Sequence, residues 1–106
     1  MSGSTEWVRI ASTSDVAEGE VLAIETMGLS LALYHVEGEW FCTDNVCTHA
    51  LAMLTDGWLD GHIIECPLHG GQFDIRTGKG VSPPIDEDLK TYPVRVEGAE
   101  VLIGLP

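Results

Sequence analysis

The sequence predicts an all-β fold, in the form of a small antiparallel sandwich or barrel. Short segments in which apolar and polar residues alternate recur throughout the 106 residues. Turn-forming residues separate these segments about every 8 to 12 positions, a spacing typical of sandwiches and barrels. No segment combines the length and the 3.6-residue period of a substantial helix.

Four of the predicted strands lie in the first half of the chain. They cover residues 6–10, 21–25, 29–36 and 40–43. The third alternates between two faces, with Leu31, Leu33 and His35 on one side and Ala32, Tyr34 and Val36 on the other. Met27-Gly28 and residues 37–39 form turns. We expect a single helical turn within residues 13–18, capped by Ser14 or Asp15.

The second half continues the pattern around a long irregular stretch. Strands are predicted at residues 62–65, 72–75, 90–96 and 100–103, the last two forming a hairpin around residues 97–99. Asp56-Gly57 and Asp60-Gly61 are turn signals, and residues 76–80 form another turn. One domain over residues 1–106 accounts for the whole chain.

Two mixed Cys-His pairs interrupt the strands. They are Cys47-Thr48-His49 and Cys66-Pro67-Leu68-His69, with sixteen residues between them. Residues so close in sequence bind one metal centre only if the backbone turns sharply, so each pair predicts a loop. Thiolate and imidazole together leave two candidates, a tetrahedral zinc ion and a [2Fe-2S] cluster.

The mixed spacing favours the cluster. Structural zinc sites usually keep like ligands together, whereas a centre with two thiolates on one iron and two imidazoles on the other suits a mixed pair on each loop. The two pairs resemble the Rieske motif. The chain is similar nearly end to end to the small ferredoxins of bacterial aromatic ring-hydroxylating dioxygenase systems, especially the naphthalene type. Outlying matches include Thr43-Asp44-Asn45 and Gln72-Phe73-Asp74.

This resemblance implies a Rieske-type antiparallel sandwich or barrel with two cluster-binding loops at one end. Its cofactor would be one [2Fe-2S] cluster, and its ligands would be Cys47, His49, Cys66 and His69. The cluster-binding region would cover about residues 42–75. Residues 82–84 would form the proline loop that covers the cluster, since consecutive prolines fix their φ angles before folding.

The resemblance also implies a one-electron carrier rather than an enzyme. Electrons would come from an NAD(P)H-dependent flavin reductase and pass to a terminal Rieske non-haem iron oxygenase that hydroxylates aromatic compounds. A mononuclear iron site needs two histidines and a carboxylate. The two histidines outside the motif, His35 and His62, stand 27 positions apart in a chain with no room for a substrate domain. No catalytic residues are therefore predicted, and both histidines are expected to be strand residues.

The predicted cluster has a low reduction potential. Two ferric ions, two sulfides and two thiolates sum to zero charge, so reduction leaves one negative charge. Rieske centres span roughly -150 to +300 mV, depending on hydrogen bonds to the sulfurs. Respiratory Rieske proteins carry hydroxyl side chains where this chain has Gly71 and Phe73. We therefore expect a potential near the bottom of the range.

The charge of the chain restricts its partners. Five Lys and Arg stand against 17 Asp and Glu, a formal net charge of -12. Such a surface repels nucleic acid and anionic membranes and favours partners with basic patches. The expected docking surface is the cluster tip, with an apolar rim of Leu51, Met53, Leu68 and Pro83. Trp58 is a further docking candidate, although a core position is at least as plausible from sequence.

Cys42 has no expected disulfide partner, because two of the three cysteines are assigned as ligands. We expect a buried thiol beside the cluster loop and a reducing, cytoplasmic location. The N-terminus has neither the basic head nor the apolar stretch of a secretory signal.

Two alternative functions remain: the small Rieske-like subunit of an assimilatory nitrite reductase, and a zinc-stabilised interaction module.

Overall fold

The computed structural model describes residues 5–48, 52–68, 70–82 and 87–105. Ten strands form three antiparallel sheets in this part of the chain, with the orders β1-β10-β9, β2-β3-β4-β8 and β5-β6-β7. The strands are β1 Glu6–Ser12, β2 Glu20–Thr26, β3 Leu29–Val36, β4 Glu39–Asp44, β5 Trp58–Asp60, β6 Ile63–Glu65, β7 Gln72–Asp74, β8 Thr91–Tyr92, β9 Val94–Glu97 and β10 Glu100–Leu105. Short 3-10 helices occupy Thr13–Asp15 and Leu54–Asp56. The predicted all-β class is confirmed.

Two tight turns fix the register of the central sheet. Met27 and Gly28 join β2 to β3 with φ angles of 51° and 74°, and Glu37 and Gly38 join β3 to β4 with 53° and 76°. Two successive positive φ angles match the right-handed twist of the flanking strands. Strand β3 therefore begins and ends at the predicted residues.

Strand β3 separates two cores. Leu31 and Leu33 pack into one core, which lies between the central sheet and the sheet of β1, β10 and β9 and also holds Val101. Ala32 and Tyr34 point to the other core, which the sheet of β5, β6 and β7 closes. The alternation predicted from sequence is thus confirmed, and both faces are buried because β3 lies inside the sandwich.

The single strand predicted over residues 90–96 is wrong. Strand β8 pairs with β4, whereas β9 pairs with β10 in a different sheet. Pro93 lies between them, and proline has no N–H to donate to a continuous ladder. Its carbonyl instead accepts from the N–H of Gly104 at 2.9 Å. The chain therefore changes sheets at this residue.

Two further local expectations need correction, and one strand was not predicted. The 3-10 helix is capped by Ser12, not Ser14 or Asp15, and the Asp15 carboxylate accepts from the Ser12 N–H at 2.9 Å. His62 lies in the turn before β6 rather than in the strand, because Gly61 turns the chain with a φ of 60°. Strand β5 follows Gly57 directly and was not predicted.

Candidate metal centre

Both cysteine-containing loops close in the same way. The N–H of Cys47 donates to the carbonyl of Ala52 at 2.9 Å, and the N–H of Cys66 donates to the carbonyl of Gly71 at 2.7 Å. Each bond spans a six-residue segment that begins at the cysteine. A strand-like pair flanks each closure, Val46 with Met53 and Glu65 with Gln72. The two loops are therefore equivalent substructures.

The two closures bring the cysteine side chains together in the core beneath the central sheet. Cys47 is 4% exposed and Cys66 is 0% exposed. Burial raises the pKa of the Cys66 thiol, and the neighbouring Cys47 side chain, within hydrogen-bonding reach, raises it further. A hydrogen bond involving the Leu68 backbone opposes this shift.

This pair fits a thiolate-bound metal centre. Both residues are thiols rather than a disulfide, and burial beside the Cys47 side chain disfavours ionisation of the Cys66 thiol. Positive iron or zinc ions would replace the thiol protons and stabilise both thiolates. Chemistry and placement therefore fit the predicted cofactor.

The structure places two of the four predicted ligands. His49 and His69 lie outside the described residues, as do Leu51 and the proline pair, Pro83 and Pro84, of the predicted proline loop. Within the described ranges, no group of three or more His, Cys, Asp or Glu side chains converges on one point. The assignment of both histidines stays a prediction that rests on the motif.

A buried asparagine holds the first loop. The side-chain oxygen of Asn45 accepts from the Thr55 N–H at 2.9 Å, and its Nδ2 donates to the Thr55 hydroxyl at 3.0 Å. The Asn45 backbone bonds to Ser30 of β3 and to Leu54. Asn45 is fully buried, so these bonds connect both ends of the loop to the central sheet. From the sequence, Asn45 is identified only as part of a match to the family.

Close packing between the loops explains one glycine. A Cβ added to Gly57 would lie 1.9 Å from the carbonyl oxygen of Glu65, the residue before Cys66. The segment that ends the first loop therefore packs directly on the strand that leads into the second. The first loop also contacts a later part of the chain, because the Thr48 hydroxyl donates to the Glu87 carbonyl at 3.0 Å.

Cys42 occupies the opposite core. It is 1% exposed, next to Leu33 of β3, and burial raises its pKa to about 12. The expected burial of this thiol is confirmed, but the expected place beside the cluster loop is wrong, because Cys42 and Leu33 face the other core. Its position on the far side of the central sheet separates it from Cys47 and Cys66.

A family model described as Rieske [2Fe-2S] domain matches residues 6–93. The chain belongs to this family. The ferredoxin component of the naphthalene 1,2-dioxygenase system of Pseudomonas putida is 48% identical over 102 residues, which are 96% of this chain and 98% of that relative.

The chain is also similar to solved structures of ferredoxins. Sphingomonas yanoikuyae B1 ferredoxin is 48% identical with a TM-score of 0.90, and the match covers 95% of this chain and 100% of that chain. A chain from a complex of reduced oxygenase and oxidized ferredoxin in carbazole 1,9a-dioxygenase is 37% identical. Its TM-score is 0.86, and the match covers 92% of this chain and 91% of that chain.

Family membership confirms the expected Rieske fold and the cofactor. The protein holds a Rieske-type [2Fe-2S] cluster, and it is an electron-transfer component rather than a catalytic enzyme. No helix in the described part of the chain is long and apolar enough to cross a bilayer.

Proposed function

We propose that this protein carries single electrons from an NAD(P)H-dependent flavin reductase to the terminal Rieske non-haem iron oxygenase of an aromatic ring-hydroxylating dioxygenase system. The nearly full-length similarity to the naphthalene dioxygenase ferredoxin component carries the proposal. The complex of reduced oxygenase and oxidized ferredoxin in carbazole 1,9a-dioxygenase supports the oxygenase as acceptor.

Cys47, His49, Cys66 and His69 are the proposed ligands, with both thiolates on one iron and both imidazoles on the other. The contact between the two buried cysteines supports the thiolate half of this assignment. When bound, the cluster accepts and releases one electron. The loops hold the thiolates in the core and exclude water from them. We also propose that residues 1–106 form a single Rieske ferredoxin domain, with the cluster region at about 42–75 and the proline loop at 82–84.

The packing of the two histidines outside the motif supports an electron carrier rather than a catalytic oxygenase. The ring of His35 stacks on Trp40 at 4.0 Å, and its Nδ1 lies 3.0 Å from the Val16 carbonyl. The ring of His62 meets Phe41 edge to face. Each imidazole is thus packed against an aromatic residue, an arrangement that suits structural residues better than ligands of a mononuclear iron.

A low reduction potential fits this role. Phe73 is fully buried in the same core as Cys66 and offers no hydroxyl, and Gly71 offers no side chain. Without side-chain donors at these positions, the reduced, negative cluster lacks a source of stabilisation. Such a centre suits electron acceptance from a reduced flavin better than oxidation of a quinol.

The docking surface proposed for both partners is the cluster tip, which Leu51, Met53, Leu68 and Pro83 would surround. Of the two described members, Met53 is 38% exposed and Leu68 is 44% exposed. Small apolar rims of this kind suit transient electron-transfer complexes, which usually bury less than about 1,200 Å². The net charge of -12 favours basic partner surfaces and disfavours nucleic acid and anionic membranes. A reducing cytoplasmic location suits three cysteines that remain thiols.

Anaerobic stopped-flow spectroscopy tests the donor side. The oxidised protein is mixed with NADH and a flavin reductase of a naphthalene-type system, and the visible absorption of the cluster is followed. We expect reduction that requires the reductase and slows as salt concentration rises. Failure of such reductases to reduce a protein that dithionite does reduce would contradict the proposed donor.

A further inference from the structure

Glu65 is the only Asp, Glu, Lys or Arg that the two ligand loops and their closing pairs contain. Residues 45–55 include no Asp, Glu, Lys or Arg, and residues 61–73 include only Glu65. The residue immediately precedes Cys66 in the chain. Glu65 is therefore the one side chain of these loops and closing pairs that can place a carboxylate charge near the cluster.

The structure holds this carboxylate over the second loop. Its Oε1 accepts a hydrogen bond from Gln72 Nε2 at 2.9 Å, across the pair that closes the loop. Its Oε2 lies 3.6 Å from the position that a Cβ on Gly70 would occupy. Glu65 is half-buried, and Trp58 lies opposite it on β5. The carboxylate thus lies close to Gly70, in the loop whose sequence contains both proposed ligands, Cys66 and His69.

The charge of Glu65 is not cancelled by its partner. Gln72 is a neutral amide, and it fixes the carboxylate without neutralising it. The guanidinium of Arg76 on the same hairpin is engaged by the Asp74 carboxylate at 2.8 Å. A fixed charge in a half-buried position is screened less by salt than a freely exposed one.

We propose that Glu65 lowers the reduction potential of the cluster by placing a fixed negative charge beside the second ligand loop. Reduction adds one electron to a centre that is neutral when oxidised, so a like charge nearby disfavours the reduced state. Gln72 is the positioning residue that holds this charge in place. The inference rests on the proposed ligand set, which includes Cys66 and His69.

The test measures midpoint potentials of the purified holoprotein by protein-film voltammetry. Glu65→Gln removes the charge and keeps a side-chain oxygen that accepts from Gln72. Asp60→Asn is the matched control, because Asp60 lies on the same outer face of the sheet, is exposed, and changes net charge equally. Glu65→Asp keeps the charge.

We expect a positive shift in E65Q that exceeds the shift in D60N and persists at high salt, and a potential near wild type in E65D. Equal shifts in E65Q and D60N, or no shift in either, would overturn the proposal. If E65Q loses the cluster, the variant Gln72→Lys is measured in its place, since an ammonium beside the carboxylate should also raise the reduction potential. An unchanged potential in Q72K would then overturn it. The ligand assignment is tested separately by the wild-type protein: if it gives no Rieske spectrum, the ligand assignment fails, whatever the role of Glu65.

Discussion

The side chains of Cys47 and Cys66 meet in a core in which each is almost completely buried, although they belong to separate loops. The equivalent closures of the two loops produce this meeting, because the N–H of each cysteine bonds to the carbonyl five residues further along the chain. We therefore expect the two loops to act as one unit in cluster binding.

Substitution of either cysteine should abolish the cluster. In Cys66→Ser we expect loss of the visible absorption, because a hydroxyl ionises far less readily than a thiol and is a poor iron ligand. The matched control is Cys42→Ala, which removes the remaining cysteine from the opposite core and should leave the spectrum unchanged. Bleaching in C42A, or a normal spectrum in C66S, would contradict the assignment of the thiolate ligands.

Loss of the Asn45 side chain should destabilise the first loop. Asn45→Ala removes two partly buried hydrogen bonds to Thr55, and we expect it to lower the free energy of unfolding by about 1–3 kcal/mol. Urea denaturation measures this change. Thr55→Val should cost less, because the Thr55 N–H still bonds to the Asn45 oxygen. A stability of N45A equal to wild type would show that this side chain does not hold the loop.

Alkaline pH should weaken the fold in part through Cys42. Burial raises the pKa of this thiol to about 12 in the folded protein, whereas an unfolded cysteine ionises near about 8.5. Between these values the unfolded chain releases a proton that the folded chain keeps. Its contribution to stability is therefore fully present below about pH 8.5 and is lost as pH rises towards about 12.

The slope from this single group approaches about 1.4 kcal/mol per pH unit. Denaturation midpoints measured at about pH 8 and at about pH 10 should fall less in C42A than in wild type. Burial also raises the pKa of Tyr34 and Tyr92, and these groups remain in both proteins. Identical alkaline losses in the two proteins would show that Cys42 does not contribute.

A charge at the proposed docking rim should slow electron transfer without affecting the cluster. Leu68→Glu adds a carboxylate where a partner's apolar surface would dock, so we expect slower reduction of the oxygenase and an unchanged spectrum. Val96→Glu is the control, since Val96 on β9 is 41% exposed, close to the 44% of Leu68. Unchanged transfer kinetics in L68E, or equal slowing in V96E, would remove Leu68 from the docking surface.

The fold was largely predictable where local chemistry determines it. Strand β3 has its predicted bounds because Gly28 and Gly38 lie in tight turns at its two ends. The chain's change of sheet at Pro93 was not predicted, since alternation alone does not show with which strand a residue pairs. The exposed position of Trp58, at 60%, was undecided for a similar reason: the outer face of a three-residue strand has no periodicity to identify it.

The site was predictable only in part. The ligand motif indicated the contact between the two cysteines, because paired loops on one centre must meet. Local patterns did not reveal that Asn45 anchors the first loop. They also did not reveal that Glu65 places a fixed charge beside the second loop. Both depend on contacts between residues of different elements, Thr55 and Gln72 respectively. The one available signal for Glu65 was its isolation in an otherwise uncharged stretch.

The presence of a mixed-ligand cluster that carries one electron is tested most directly by the visible absorption spectrum of the purified protein, followed by low-temperature EPR after dithionite reduction. We expect a red-brown protein whose reduced form gives a Rieske signal, with an average g value below that of all-cysteine [2Fe-2S] clusters. A colourless protein that contains one equivalent of zinc and gives no signal would contradict the account.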